Sequence, residues 1–285
     1  MTVDTPARDP VVSTAWLAER LDDEKVRIFD ASWFMPGSPR DPDKEYAAGH
    51  IPGAVRFDID GLSDHASPLP HMLSAPSDFA TAMRRLGLGA ASVAVVYDSE
   101  GLFSAARAWW NLRAMGHDAS FVLEGGLPRW IAEGRPLETG WREPAHGDFK
   151  AHPRLDLVKD LEAVRTALAQ RSAQVLDARP AARFRGEAPE PRAGLRGGHM
   201  PGAHNLPWSA AIEDGALLPA ERLRPLFEGA GVDPERPIVT TCGSGVSAAV
   251  LALALARLGR LDVPVYDGSW SEWGAREDTP VATGA

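Results

Sequence analysis

The residue best equipped for nucleophilic chemistry in this chain is Cys242, the only cysteine among 285 residues. It stands in Thr241-Cys242-Gly243-Ser244-Gly245-Val246-Ser247-Ala248, between a β-branched stretch and an alanine- and leucine-rich one. The pattern predicts strand, tight loop and helix, with Gly243 and Gly245 supplying positive-φ conformations that other residues resist. Amides of such a loop, backed by a helix N-terminus, form a nest that stabilises a thiolate or an anionic adduct on it. Phosphoryl transfer on a loop of this form needs an arginine six residues past the cysteine, and that position is Ala248. Sulfur transfer needs no such arginine, because the species to stabilise is a persulfide on the cysteine itself. The bland alternative is a buried apolar thiol, against which the flanking glycines argue.

The elements that position this loop occur twice. Gly49-His50-Ile51-Pro52-Gly53-Ala54 returns 149 residues later as Gly198-His199-Met200-Pro201-Gly202-Ala203. Upstream, Val26 to Ala31 matches Ala173 to Ala178, and downstream Glu124 to Trp130 matches Asp267 to Trp273. Three landmarks in one order describe two homologous domains. The expected division is residues 1–138, a linker over 139–153 with glycine and proline breakers, and residues 154–285. In the second half a helical pattern over Leu161 to Leu168 precedes a strand from Ala173 to Leu176. A strand over Pro237 to Thr241, a helix over Val246 to Leu258 and a strand over Val263 to Tyr266 follow. Short apolar strands alternating with helices predict an α/β fold, each domain a parallel sheet flanked by helices on both faces. Ligands of such sheets sit beyond the carboxyl ends of the strands.

The chain resembles the two-domain rhodanese-type sulfurtransferases from about Val11 to about Trp273. The likeness rests on Tyr46 to Ala54, on Val265-Tyr266-Asp267-Gly268-Ser269-Trp270-Ser271-Glu272-Trp273 and on the Cys242 loop. The resemblance implies two tandem rhodanese-like domains. Within that family a Cys-Gly-Ser-Gly-Val loop is similar to that of the branch acting on 3-mercaptopyruvate, whereas thiosulfate-specific members carry arginine and lysine after the cysteine. The physics points the same way: thiosulfate is a dianion that benefits from two adjacent cations, and Gly243 and Ser244 provide none. A monocarboxylate with a ketone needs a carboxylate clamp and a hydrogen-bond donor.

The same resemblance implies the rest of the site. Arg183 and Arg192, in Arg183-Phe184-Arg185-Gly186-Glu187-Ala188-Pro189-Glu190-Pro191-Arg192, match arginines that hold the donor's carboxylate and keto oxygen. The competing role for both is a surface pair with Glu187 or Glu190. Ser244, His71 and Asp60 match a serine–histidine–aspartate relay that polarises the ketone or moves a proton. His71 and Asp60 come from the first half, so the site would lie between the halves. Gly243, Gly245, Val246 and Ser247 complete the donor-binding loop. Asp98 falls in the slot of Cys242 when Gly101 is matched to Gly245, which would leave the first domain catalytically silent. His50 and His199, common to both halves, suit a turn-stabilising role. The implied donor is 3-mercaptopyruvate, and the implied acceptors are a small thiol, a thioredoxin-like protein or cyanide, with no cofactor. A thiosulfate sulfurtransferase and a non-catalytic persulfide-binding module are the alternatives.

Composition narrows the partners. Thirty lysines and arginines against 39 aspartates and glutamates leave a formal charge of −9, which argues against nucleic acid and anionic membranes as partners. The eight histidines and one cysteine show no metal-ligand spacing. The start of the chain, with Asp4, Asp9 and Glu19, has no signal-peptide-like apolar run, and the most apolar run, Val246 to Leu258, is 13 residues. A lone thiol cannot form an internal disulfide. These features lead to the expectation of a cytoplasmic enzyme.

Overall fold

Runs of β-branched and aromatic residues make the strands. Val93–Tyr97 and Ile238–Thr241 are buried at every position, the pattern of a strand in the middle of a parallel sheet covered on both sides. The computed structural model describes residues 9–284; residues 1–8, the start of the stretch read above for a leader, lie outside them. In the first sheet β1 (Val11–Val12), β2 (Val26–Asp30), β3 (Val55–Arg56), β4 (Val93–Tyr97) and β5 (Ser120–Leu123) run parallel in the order β1-β5-β4-β2-β3. The second is built from β6 (Val158–Lys159), β7 (Gln174–Asp177), β8 (His204–Asn205), β11 (Ile238–Thr241) and β12 (Val265–Tyr266). Its strands are also parallel, in the order β6-β12-β11-β7-β8. Replacing each strand by its repeat partner turns one order into the other, and helices flank both sheets, as the sequence predicts. Two further short strands, β9 (Ile212–Glu213) and β10 (Ala216–Leu217), flank a turn at Asp214 and Gly215, both with positive φ.

The helices that follow the two central strands are not amphipathic. Ala105–Ala114 is buried throughout, including Trp109 and Trp110, and Ala248–Arg257 is buried from Ala248 to Ala256. Small and straight-chain residues form such helices readily and pack tightly in the interior. The second starts two residues later than its apolar pattern suggests, because Val246 and Ser247 belong to the loop. His50 and His199 play the expected structural part. Each donates from Nδ1 to a main-chain oxygen at 2.9 Å, that of Tyr46 or Phe184, and stacks on the same residue's ring at 4.1 or 3.8 Å.

The compact units do not coincide with contiguous halves of the chain. One comprises residues 9–63, 74–154 and 214–217, and the other residues 64–73, 155–213 and 218–284. Each unit thus includes a short segment from the opposite half of the sequence.

Candidate active site

Strand register fixes where the chemistry sits. Thr241, the last residue of β11, pairs with Asp177, and Cys242 follows it at the carboxyl end of the sheet. Cys242 is buried. Its N–H reaches Ser269 Oγ at 3.3 Å, and its carbonyl accepts the N–H of Trp270 at 2.9 Å. The next carbonyl, of Gly243, accepts both the N–H and the hydroxyl of Ser271, at 2.8 and 2.7 Å. The signature from Asp267 to Trp273 is therefore the platform of the loop. Of the loop glycines only Gly245 has positive φ, at 80°. Gly243 is not in the left-handed region, and a Cβ there would stand 3.2 Å from Nη2 of Arg183, a close contact with the end of a flexible side chain. Val246 is buried and Ser247 half-buried at the start of the helix.

His71 and Ser244 come together. Nδ1 of His71 lies 2.9 Å from Ser244 Oγ and 3.3 Å from the Ser244 carbonyl, both residues being buried. The hydroxyl can donate to an unprotonated nitrogen, and a protonated one can donate to either oxygen. Although His71 is encoded in the first half, its segment belongs to the second unit. It is tied there by a second bond, from the Leu73 N–H to Asp267 Oδ2 at 2.8 Å. Asp60, the third member of the implied relay, belongs to the first unit, where its Oδ2 accepts the indole N–H of Trp33 at 3.0 Å.

Arg183 sits in a charged cluster that the sequence shows only in part. Arg183 donates to Glu190 Oε2 from Nε at 3.2 Å and from Nη2 at 2.5 Å, so the pairing with Glu190 exists, but with a carboxylate only 1% exposed rather than on the surface. The other oxygen of Glu190 accepts Nη1 of Arg179 at 2.7 Å. Arg179 also binds Asp177, at 2.6 Å in the shortest of their contacts, and covers the Trp270 ring at 4.2 Å. Burial alone disfavours its charge; Asp177 and Glu190 outweigh that and hold its pKa above the usual value. Two guanidiniums and two carboxylates leave the cluster formally neutral. Arg192 is half-buried in the turn after Glu190, and Arg185 pairs with exposed Glu187 at 2.7 Å. Arg179, Asp267 and Ser269 carry no signal in their residue types, and Glu190 reads in the sequence only as a surface partner of the arginines. Asp267 and Ser269 lie inside the Val265 to Trp273 signature.

The loop after β4 is its counterpart. Tyr97 pairs with Asp30 as Thr241 pairs with Asp177, which aligns Asp98 with Cys242. The Asp98 carboxylate turns back into its own loop and accepts the N–H groups of Glu100, Phe103 and Ala105 at 2.9, 2.7 and 2.8 Å. Burial raises this carboxyl's pKa against the pull of those three amides. In the second unit the amides of Ser244 and Ser247, at the positions of Glu100 and Phe103, have no protein acceptor among the described residues. Arg40, anchored on Glu45 at 2.6 Å, donates to Ser99 Oγ at 3.1 Å and stands 3.4 Å from Glu100. No group of histidine, cysteine and acidic side chains suited to a metal ion is found among the described residues. No helix among them is long and apolar enough to cross a membrane.

Comparison with known proteins adds an independent line. The profile of the Rhodanese-like domain matches residues 13–133 and again residues 160–276. The chain is 49% identical over 271 residues to the 3-mercaptopyruvate sulfurtransferase of Escherichia coli strain K12, covering 95% of this chain and 96% of that protein. It is 41% identical to thiosulfate/3-mercaptopyruvate sulfurtransferase 1, mitochondrial, of Arabidopsis thaliana, covering 96% of this chain and 78% of that one. The crystal structure of SseA from Escherichia coli matches with a TM-score of 0.85 and 46% identity, over 92% of this chain and 99% of the other.

Proposed function

The chain belongs to the rhodanese-like family, and on that footing we propose that it is a 3-mercaptopyruvate sulfurtransferase working through a persulfide on Cys242. The Cys242 thiolate attacks the thiol sulfur of the donor, the carbon–sulfur bond breaks, and its electron pair leaves as the enolate of pyruvate. The enolate takes up a proton to become pyruvate, and Cys242 keeps the transferred sulfur. A small thiol, a thioredoxin-like protein or cyanide then attacks that outer sulfur and restores the thiolate. Arg183 and Arg192 hold the donor's carboxylate and keto oxygen, since a planar guanidinium meets a carboxylate with two parallel bonds. Ser244, backed by His71, polarises the ketone or passes the proton to the enolate, with Asp60 as the third member of the relay. We place the reaction in the cytoplasm, in keeping with a single unpaired thiol.

The observation that carries this reading is the pair of loop amides, Ser244 and Ser247, left without protein acceptors beside Cys242. Their counterparts in the first unit are satisfied by a carboxylate, so the loop geometry suits an anion, and Cys242 supplies the atom on which one can form. Side-by-side rates with mercaptopyruvate and thiosulfate, cyanide being the acceptor, test the proposal. Mercaptopyruvate is expected to be the faster donor, with one added sulfur mapped to Cys242 by mass spectrometry. Faster turnover of thiosulfate would give the protein to the alternative donor, and no added sulfur from either would end the persulfide reading.

A further inference from the structure

Four non-glycine residues among those described have positive φ: His71, Arg171, Asp214 and Ser269. Arg171 ends a helix and Asp214 opens a tight turn, settings where that conformation is ordinary. His71 and Ser269 are buried, and both touch the Cys242 loop. Ser269 is fully buried with φ of 50°. Its counterpart in the first unit is Gly126, with φ of 53°. There a Cβ would meet the Asp98 carbonyl at 2.5 Å and that of Gly101 at 2.6 Å, so glycine is obligatory. The backbone at Ser269 would be met by glycine at no conformational cost. A serine held in this strained state offers one thing glycine lacks, its hydroxyl.

That hydroxyl donates to the Tyr266 carbonyl at 2.8 Å and accepts the Cys242 N–H at 3.3 Å, with Thr241 Oγ1 a further 3.4 Å neighbour. The Trp270 N–H holds the Cys242 carbonyl at 2.9 Å. Both main-chain polar groups of Cys242 are thus fastened to one turn. In the first unit Leu127 makes the equivalent bond to the Asp98 carbonyl at 3.0 Å, but Gly126 has no side chain to make the other. We propose that Ser269 is a positioning residue: its hydroxyl fixes the peptide that precedes Cys242, and so the direction in which the sulfur leaves the main chain. This rests on the reading of Cys242 as the sulfur carrier.

Two variants separate hydroxyl from backbone. Ser269→Ala keeps the strained Cβ and loses the hydroxyl, whereas Ser269→Gly loses both. In each, single-turnover loading of sulfur onto Cys242 should slow about tenfold, with KM for mercaptopyruvate changed less than about twofold. Amide exchange at Cys242, followed by hydrogen–deuterium exchange, should quicken in both. Ser269→Gly should melt above Ser269→Ala by about 2–4 °C, since only the latter retains the left-handed strain. Loading of Ser269→Gly at the wild-type rate, or unchanged Cys242 exchange in the variants, overturns the assignment. If Ser269→Ala does not fold, Ser269→Gly carries the test alone. A wild type that takes no sulfur from mercaptopyruvate refutes the proposed donor reaction, and the exchange measurement still decides whether Ser269 anchors Cys242.

Discussion

The loop after β4 and the loop after β11 leave register-equivalent positions of two sheets with the same strand order, yet they treat an anion in opposite ways. Asp98 carries its own carboxylate into the amides of its loop. Cys242 leaves the corresponding amides of Ser244 and Ser247 without a protein acceptor. The contrast extends to the neighbouring arginine. In the first unit Ser99 and Glu100 engage Arg40, whereas in the second Gly243 has no side chain to offer Arg183, whose Nη2 lies 3.2 Å from where a Cβ would be. The backbone scaffold alone therefore does not decide how each loop meets an anion. One copy has closed its nest with side chains of its own, and the other has kept a nest, a nucleophile and a cation apart from one another.

The harshest test of that contrast is to exchange the two lead residues. Cys242→Ser should lower sulfur transfer by at least about 10³-fold with the fold intact. Adding Asp98→Cys to that variant should not restore it, because Glu100 remains where the active loop has Ser244 and repels an anionic donor. Recovery at a comparable rate would show the first loop to be silent only for want of a thiol. The arginines come next. Arg183→Met should reduce kcat/KM for mercaptopyruvate about a hundredfold, or about 2.7 kcal/mol, in line with the loss of charge-assisted hydrogen bonds. Arg40→Met should change it less than about twofold, and equal losses would dissolve the distinction. A smaller effect, on stability alone, is expected of Gly126→Ser. The new side chain meets two carbonyls of the Asp98 loop, costing about 1–3 kcal/mol in denaturant titrations, while turnover at Cys242 persists.

The smallest effect is a pH dependence. Burial raises the Asp98 carboxyl above its ordinary 3.8, so the native state keeps this proton to higher pH than the unfolded chain does. Its stabilising contribution is complete below the ordinary value and declines as pH rises through the raised one. Asp98→Asn removes that dependence, and the melting-temperature gap between wild type and variant should narrow as pH rises from about 4. A gap that widens over the same range would mean that the three amides, not burial, dominate.

What was legible in the sequence was what local chemistry writes locally. The Cys242 loop, the doubled Gly-His-x-Pro-Gly-Ala turn and the alternation of strands and helices each depend on neighbours within a few residues. Gly243 does not take the positive φ that its place in the loop suggests, because the exact path of a loop is set by tertiary packing that leaves no mark in adjacent letters. Glu190 reads in the sequence only as a surface partner and Arg179 not at all, since charged residues read as solvated until tertiary packing buries them. Ser269 was quoted as part of a signature, but its left-handed backbone is visible only in coordinates. The segment carrying His71 was assigned to the first half because sequence order hides which unit a loop joins.

That reassigned segment has a consequence in time. His71 and Ser244 are 173 residues apart, and a ribosome adding ~5–20 residues per second needs roughly 10–35 s to travel between them. Throughout that interval residues 64–73 exist without the unit they join, because its central strand has not been synthesised. Residues 1–241 also contain no thiol. Cys242 and Ser244 therefore emerge within moments of each other, against a histidine that has been waiting. Until they do, residues 1–241 offer no cysteine for stray sulfur to meet.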